Sequence, residues 1–276
     1  MGSTYYVKRQ LLWFFISLFV FFVAALFPYQ KYRRYIKIFI LISFLALLFT
    51  LFFGRNINNA VRSVSILGIT LQPAEFVKIS IIMYVAYIYS RKQDVISSFQ
   101  KGVVKPIVVF GGLALLILLQ PDLGTTSVIL AVVFMMMLSA GVRFKHFITL
   151  GFLAAFFLAP FIYFTEFITS TRKERITAVM SPFSDAEDSG FQLIQSYLAI
   201  GGGDPFGEGL GQSIQKLGYL WGAHTDFIMA IIAEELGIFG VIAVITAYIV
   251  IMWKGSTVAK NCQDGFGSLM AIGLTS

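Results

Sequence analysis

The stretch Phe227–Trp253 reads FIMAIIAEELGIFGVIAVITAYIVIMW, and it is the clearest indication of the fold class of this chain. A bilayer has a hydrocarbon core about 30 Å thick, which roughly 20 apolar residues cross as a helix. The stretch exceeds that length, and its charged residues are Glu234 and Glu235. It therefore predicts a transmembrane helix. Because a carboxylate inside the bilayer costs about 2.5–3.5 kcal/mol, Glu234 is a candidate functional residue.

The composition of the whole chain agrees with a membrane protein. Of its 276 residues 58% are hydrophobic and 13% are charged, and the mean hydropathy is +0.82. Soluble domains have roughly 45–50% apolar and about 25% charged residues. The same figures exclude a disordered chain. The net charge of +7 comes from short basic groups between apolar runs, which predicts no nucleic-acid partner.

The sequence predicts no metal site of its own. One cysteine, Cys262, excludes a disulfide framework and a thiolate cluster. The two histidines, His146 and His224, lie too far apart in sequence to form a local metal-binding motif.

Eight apolar runs predict an all-α polytopic integral membrane protein, with 1–276 as a single transmembrane domain. The runs are longer than transmembrane β-strands and do not alternate, so helices are expected. They are Leu11–Phe27, Tyr35–Phe53, Phe76–Tyr89, Val103–Leu119, Thr125–Val142, Phe147–Thr165, Phe227–Trp253 and a last one from Phe266.

Basic residues predict the orientation of these helices, because cytoplasmic loops carry an excess of Lys and Arg. They occupy alternate loops, at Lys31, Arg33, Arg34, Arg91, Lys92, Lys101, Lys105, Arg143, Lys145, Lys254 and Lys260. The residues 166–226 then form a large extracytoplasmic loop. The amino terminus is predicted outside, so we expect at least one further helix before Met1 and one or more after Ser276.

Polar residues concentrate on the predicted outer side. Arg62 follows two asparagines, and Glu75 and Lys78 lie one helical turn apart after Gln72-Pro73. Glu75 and Lys78 form either a neutralising pair at a helix end or part of a site.

Two aspartates, Asp122 and Asp226, each precede an apolar run and are placed to cap a helix. In the long loop, Ser189–Ile200 predicts a short amphipathic helix at the interface, with Phe191, Ile194 and Leu198 on its apolar side. The glycine triplet 201–203 is predicted to end it.

Several motifs in order resemble one family. They are LQPAEFVKIS, LLQPDLGTTSV, RITAVMSPF, GFQLIQSYLAIGGGDPFGEGLGQSIQKLGYL, HTDFIMAIIAEELGIFG and DGFGSLMAIGL. The chain resembles the SEDS family (shape, elongation, division and sporulation), the FtsW/RodA/SpoVE membrane proteins, along nearly its whole length. GFQLIQS and GLGQSIQK resemble the division-type branch more than the elongation type. The family has ten helices, so the eight runs would be its second through ninth.

The resemblance implies a peptidoglycan glycosyltransferase. Members polymerise lipid II, an undecaprenyl-pyrophosphate disaccharide-pentapeptide, on the outer face of the bacterial cytoplasmic membrane. They act with a class B penicillin-binding protein, and other division proteins are expected partners. The rival interpretations are a lipid II flippase and a non-catalytic division scaffold. A flippase would need polar residues along the whole transmembrane path of its substrate. Here the polar residues are concentrated on the outer side, which favours a reaction at that face over transport.

The resemblance also implies roles for residues. The family's catalytic aspartate matches Asp226, and its outer polar positions match Glu75, Lys78 and Asp122. Arg62 and Arg175 are candidates to neutralise pyrophosphate, since arginine binds phosphate oxygens in a bidentate way. Both are therefore predicted to bind the substrate, and the same role is predicted for Glu234. A divalent cation, Mg²⁺ or Mn²⁺, between Asp226 and the pyrophosphate is compatible with this chemistry.

Two positions depart from the family pattern. Ser63 stands where a tryptophan is common, which puts an aromatic substrate contact in doubt. Trp221-Gly222 replace a common Pro-Glu pair beside the catalytic acid, which changes the stiffness of that loop.

Overall fold

A computed structural model describes residues 5–57, 60–66, 69–91, 99–149, 151 and 190–276. Its principal helices are α1 (Tyr5–Leu26), α2 (Tyr32–Phe53), α3 (Pro73–Arg91), α4 (Lys105–Leu118), α5 (Leu123–Ser139), α6 (Phe191–Gly202), α7 (Ile228–Asn261) and α8 (Gly265–Thr275). Three short strands are β1 (Arg55–Ile57), β2 (Ala60–Ile66) and β3 (Ile69–Leu71). Short 3₁₀ turns lie at Tyr29–Lys31 and Gln215–Leu217, and a π-helical turn at Phe99–Val104.

Three helical segments are long and apolar enough to cross a membrane, Val7–Leu26, Tyr29–Phe53 and Ile228–Asn261. Shorter apolar helices cover Gly102–Leu118, Leu123–Ser139 and Gly265–Thr275. Helices therefore occur in every predicted run. In the sixth, Phe147–Thr165, residues 147–149 and 151 are helical, and the others lie outside the described residues. The helical membrane fold is confirmed, while the count of eight spans stays a prediction.

The chain divides into two compact units. Unit 1 contains Met1–His146 and Lys254–Ser276, and unit 2 contains Phe147–Trp253. The helix α7 runs through unit 2 and ends in unit 1.

The core of unit 1 forms around α3, which packs against α2, α5 and α8. Its side chains Val77, Val85 and Ala86 are fully buried. The helix α8 approaches closely at Gly273, where a Cβ atom would lie 2.6 Å from the Met136 sulfur. Small residues let helices pack closely inside a membrane, where no hydrophobic effect drives them together.

A small antiparallel sheet, ordered β1-β2-β3, joins α2 to α3. Ser63 in β2 is paired with Arg55, and Val64 with Leu71. This sheet was not predicted. Its strands are short, and polar residues interrupt them, so the sequence shows little of the period-two alternation that identifies a strand.

An ion pair connects two distant parts of unit 1 at the opposite end of α2. The Arg33 guanidinium pairs with the Asp264 carboxylate, which also caps α8 by accepting a hydrogen bond from the Gly267 N–H. The same guanidinium lies 4.9 Å from the centre of the Phe266 ring. Since Tyr29 stacks on Phe266, this end of the unit is held by aromatic and ionic contacts together.

In unit 2, a helix is present where the sequence predicted an amphipathic one, and it is α6; its position at a membrane interface stays a prediction. Its buried residues are Ser196 and Ala199, while Leu198 and Tyr197 are exposed. The side of the helix that carries small residues therefore packs inward, and the side that carries large apolar residues faces away from the unit. Gly201 and Gly202 remain helical, and the helix ends at Gly203 as predicted.

Candidate functional site

The predicted cap at Asp122 is present and belongs to a larger hydrogen-bonding group in unit 1. The buried Asp122 carboxylate accepts from the Thr125 N–H at 3.2 Å and from the Thr125 hydroxyl at 2.8 Å. It also accepts from the Gln72 amide at 3.2 Å. Gln72 precedes the first residue of α3, so the amino-terminal ends of α3 and α5 meet here.

The predicted Glu75–Lys78 pair forms one turn into α3. The Lys78 Nζ lies 2.8 Å from a Glu75 carboxylate oxygen. The Lys78 side chain is 30% exposed and that of Glu75 is 59% exposed, so the pair lies at the edge of the unit. Lys78 also lines a cavity of about 40 Å³ whose other walls are the apolar side chains Ile81, Ile82, Val128, Ile129, Val132 and Val133.

A second glutamine–proline motif fixes the turn between α4 and α5. The Gln120 side chain is almost fully buried, and its amide donates a 2.9 Å hydrogen bond to the Leu47 carbonyl of α2. Both motifs, Gln72-Pro73 and Gln120-Pro121, therefore use the glutamine to join neighbouring elements. Carboxylates near helix amino termini are favourable because of the helix dipole, which accounts for Glu75 and Asp122 in this place.

Asp226 lies in unit 2, in the turn just before α7, and is exposed. The turn closes on the Gly222 carbonyl, which accepts from the Thr225 N–H at 2.9 Å and from the Phe227 N–H at 3.1 Å. Gly222 has a φ of +76°, a conformation that suits glycine. The glycine that departs from the family pattern here therefore lies at a position whose backbone conformation favours glycine.

The helix α7 is interrupted at Gly237, whose φ of +60° and ψ of −152° are not helical. A loop fills the interruption. The Glu234 and Glu235 carbonyls accept from the N–H groups of Glu208 and Gly209, at 2.9 and 3.0 Å, and the Ile238 N–H donates to the Pro205 carbonyl at 3.1 Å. A helix can be broken at membrane depth when such partners satisfy its backbone.

Two further glycines allow this close approach. A Cβ atom at Gly203 would lie 2.5 Å from the Ala233 carbonyl oxygen, and one at Gly207 would lie 2.5 Å from the Glu235 carbonyl oxygen. The glycine-rich segment that follows α6 is therefore packed on α7.

The two acids within α7 contact this same loop. Glu234 is 4% exposed, and its carboxylate accepts from the Ser213 hydroxyl at 2.5 Å and from the Ile214 N–H at 2.9 Å. Glu235 forms an ion pair with Lys216. Each acid thus has a partner, as the cost of burying a charge requires.

Two predicted substrate-binding residues, Arg62 and Arg175, lie partly or wholly outside the described part of the structure. Arg62 lies in β2, and its side chain is outside the described part of the structure; Arg175 is outside the described residues altogether. Within the ranges that the structure describes, no group of three or more His, Cys, Asp or Glu is arranged to hold a metal ion.

The sequence did not predict three residues that bond to the candidate site residues: Gln72 beside Asp122, Ser213 beside Glu234, and Lys216 beside Glu235. Gln72 was visible as part of a repeated glutamine–proline pattern. Ser213 and Lys216 gave no signal, because their partners lie some twenty residues away and ordinary serines and lysines are common in loops.

Comparison with known proteins identifies the family. A family model for FtsW, RodA and SpoVE, described as "Cell cycle protein", matches residues 1–276. The chain is 41% identical to the probable peptidoglycan glycosyltransferase FtsW of Bacillus subtilis, covering all of this chain and 70% of that protein. It is 36% identical to stage V sporulation protein E of the same organism, covering 99% and 74%.

Solved structures agree on the fold. A chain of the structure described as "Structural coordination of polymerization and crosslinking by a peptidoglycan synthase complex" matches with a TM-score of 0.76 at 24% identity, covering 97% of this chain and 74% of that one. The rod shape determining protein RodA of Thermus thermophilus matches with a TM-score of 0.62 at 22% identity, covering 97% and 70%. The chain therefore belongs to the FtsW/RodA/SpoVE family of cell cycle proteins.

Proposed function

We propose that this protein is a peptidoglycan glycosyltransferase that polymerises lipid II into glycan strands, with Asp226 as the catalytic base. The observation that carries the proposal is the exposed Asp226 carboxylate in a closed turn directly before the membrane-spanning helix α7. The Bacillus subtilis relative that is 41% identical is named a probable peptidoglycan glycosyltransferase, which supports the same reaction here.

The reaction joins two sugars. A hydroxyl of the acceptor sugar attacks the anomeric carbon of the donor, and the bond from that carbon to the pyrophosphate oxygen breaks. Asp226 takes the hydroxyl proton as the new bond forms, and undecaprenyl pyrophosphate leaves with the electron pair. Because pyrophosphate is a good leaving group, stabilising its charge matters more than protonating it.

Substrate-binding roles follow from the family resemblance for Glu75, Lys78 and Asp122, and from the chemistry of arginine for Arg62 and Arg175. We assign Lys78, Arg62 and Arg175 to the pyrophosphate, since cations stabilise its charge. Glu75 and Asp122 would contact or orient polar groups of the substrate. The ion pair between Glu75 and Lys78 supports a common role for these two.

The proposed setting is the bacterial cytoplasmic membrane, with the site facing outward. In this arrangement the eight apolar runs are spans, equivalent to the second through ninth helices of the family, and residues 166–226 are an extracytoplasmic loop. The proposed partner is a class B penicillin-binding protein, which cross-links the product. A divalent cation, Mg²⁺ or Mn²⁺, would be held by Asp226 together with the leaving pyrophosphate, whose negative charge it would neutralise.

The test is glycan synthesis by the full-length protein, reconstituted with its penicillin-binding protein in liposomes that contain lipid II. Replacing Asp226 with Asn removes the base and should lower the rate about 10²–10⁴-fold. The control is Asp204→Asn, which changes another exposed acid of the same unit and should leave the rate near that of the parent.

Each outcome has a distinct meaning. Chain growth that depends on Asp226 supports the transferase. Relocation of lipid II across the bilayer without chain growth indicates the flippase, and neither activity indicates the scaffold. Near-normal polymer yield from well-folded Asp226→Asn protein would refute Asp226 as the base.

A further inference from the structure

Glu234 is a buried carboxylate whose hydrogen-bond partners all come from one short segment. Its oxygens accept from the Ser213 hydroxyl, from the Ile214 N–H and, at 3.5 Å, from the Gln215 N–H. Ser213 is itself 2% exposed, and its hydroxyl oxygen accepts from the Lys216 N–H at 3.2 Å. The serine hydroxyl thus links the carboxylate to the 3₁₀ turn that begins at Gln215.

The neighbouring acid holds the same segment. Lys216 forms an ion pair with Glu235, whose carboxylate also accepts from the Ser213 N–H at 3.4 Å. The Lys216 and Glu235 side chains are 24% and 13% exposed, so water competes little with the pair. We call Ser213, Lys216, Glu234 and Glu235 the latch.

The latch is connected to the catalytic turn by ordered chain. The Leu220 N–H donates to the Gln215 carbonyl at 3.0 Å. Leu220 and Ala223 are buried against Ala199 of α6 and Ala230 of α7. The segment between the latch and α7 is therefore fixed at several points, although the Asp226 side chain is exposed.

We propose that the latch positions Asp226, with Ser213 and Glu234 as positioning residues. This inference rests on the proposed role of Asp226. Because the Glu234 oxygens are occupied by Ser213, Ile214 and Gln215, Glu234 acts through the loop. This role replaces the substrate-binding role that the sequence predicted for it. A displacement of about 1 Å at a catalytic group is enough to lower a rate 10²-fold, so a small shift of the loop has a measurable effect.

The test compares two buried serines of unit 2 in the glycan synthesis assay. In Ser213→Ala the latch loses its hydroxyl, and we expect the kcat to fall about 10–100-fold with the KM for lipid II unchanged. In Ser213→Thr the hydroxyl is kept, and most of the kcat should return. The control is Ser196→Ala, since the Ser196 hydroxyl bonds only to the Leu193 carbonyl of its own helix.

Three results would overturn the proposal. The first is a kcat of Ser213→Ala within twofold of the parent. The second is an equal loss of kcat and of thermal stability in Ser213→Ala and Ser196→Ala, which means general destabilisation. The third is a raised KM at unchanged kcat, which means that Glu234 contacts the substrate.

A second variant covers the case in which Ser213→Ala does not fold. Replacing Lys216 by Met together with Glu235 by Gln removes the ion pair without leaving one charge buried, and the same loss of kcat is expected; an unchanged kcat counts against the latch. The failure of this inference is distinct from a failure of the proposed function, which Asp226→Asn tests on its own.

Discussion

Replacing Gly237 by Ala should remove the loop from the interruption of α7. A Cβ atom at this position would lie 2.4 Å from the Pro205 carbonyl oxygen and 2.5 Å from the Gly207 nitrogen. Both contacts are with backbone, so no side-chain rotation relieves them. The φ and ψ of Gly237 also fall in a region that is essentially confined to glycine and costs other residues about 1–3 kcal/mol.

The protein has two responses, and both are costly. If α7 stays broken, alanine bears the backbone strain and the overlap together. If α7 straightens, the helix gains about 1 kcal/mol from alanine but the loop loses three backbone hydrogen bonds, each contributing about 0.5–1.5 kcal/mol, and the latch. We therefore expect a net loss of about 1–3 kcal/mol of stability.

Thermal unfolding in detergent measures this loss. A change of 1 kcal/mol shifts the Tm by about 2–4 °C in proteins approaching this size, so Gly237→Ala should lower the Tm by at least about 2 °C. The control is Gly202→Ala, because a Cβ atom there meets nothing within 4 Å and the residue is helical. If the two variants unfold at the same temperature, the loop is not packed in the interruption as described.

Three further results are expected. In a double-mutant cycle, neutralising Glu75 and Lys78 together should reduce glycan synthesis less than the sum of the single changes, since each single change leaves one charge unpaired; additive losses would mean that the two do not interact. Asp122→Ala removes a helix cap and should lower the stability by about 1–2 kcal/mol, seen as a lower Tm, whereas an unchanged Tm would contradict the cap. A cysteine replacing the exposed Gln212 should react with a membrane-impermeant thiol reagent in intact cells, while Cys262 should react only after permeabilisation; the reverse pattern would overturn the predicted topology.

The features that could be predicted from the sequence are those with a local signal. Long apolar runs identified the helices, because the bilayer requires both their length and their composition. The Asp122 cap and the Glu75–Lys78 pair were predictable because both partners lie within three residues of each other.

The rest depends on contacts between distant parts of the chain. The interruption at Gly237 is stabilised by the backbone of residues 205–209, and a single glycine within a helical pattern does not reveal such a partner. The partners of Glu234 and Glu235 are an ordinary serine and lysine. The buried side of α6 is the one with the small residues Ser196 and Ala199. Packing against the rest of unit 2 decides which side of the helix is covered, and the row of large apolar residues does not reveal it.

The contact between Arg33 and Asp264 has a consequence for the synthesis of the protein. The two residues are 231 positions apart, and a ribosome adds about 5–20 residues per second, so Arg33 exists for about 10–50 s before its partner is made. Basic residues near helix ends direct the insertion of a helix into the membrane. During the period in which α2 is inserted, the guanidinium is therefore a free cation, and it becomes half of an ion pair only when α8 arrives. In the predicted topology, one side chain thus has two successive tasks, first in orienting a nascent helix and later in holding the finished bundle.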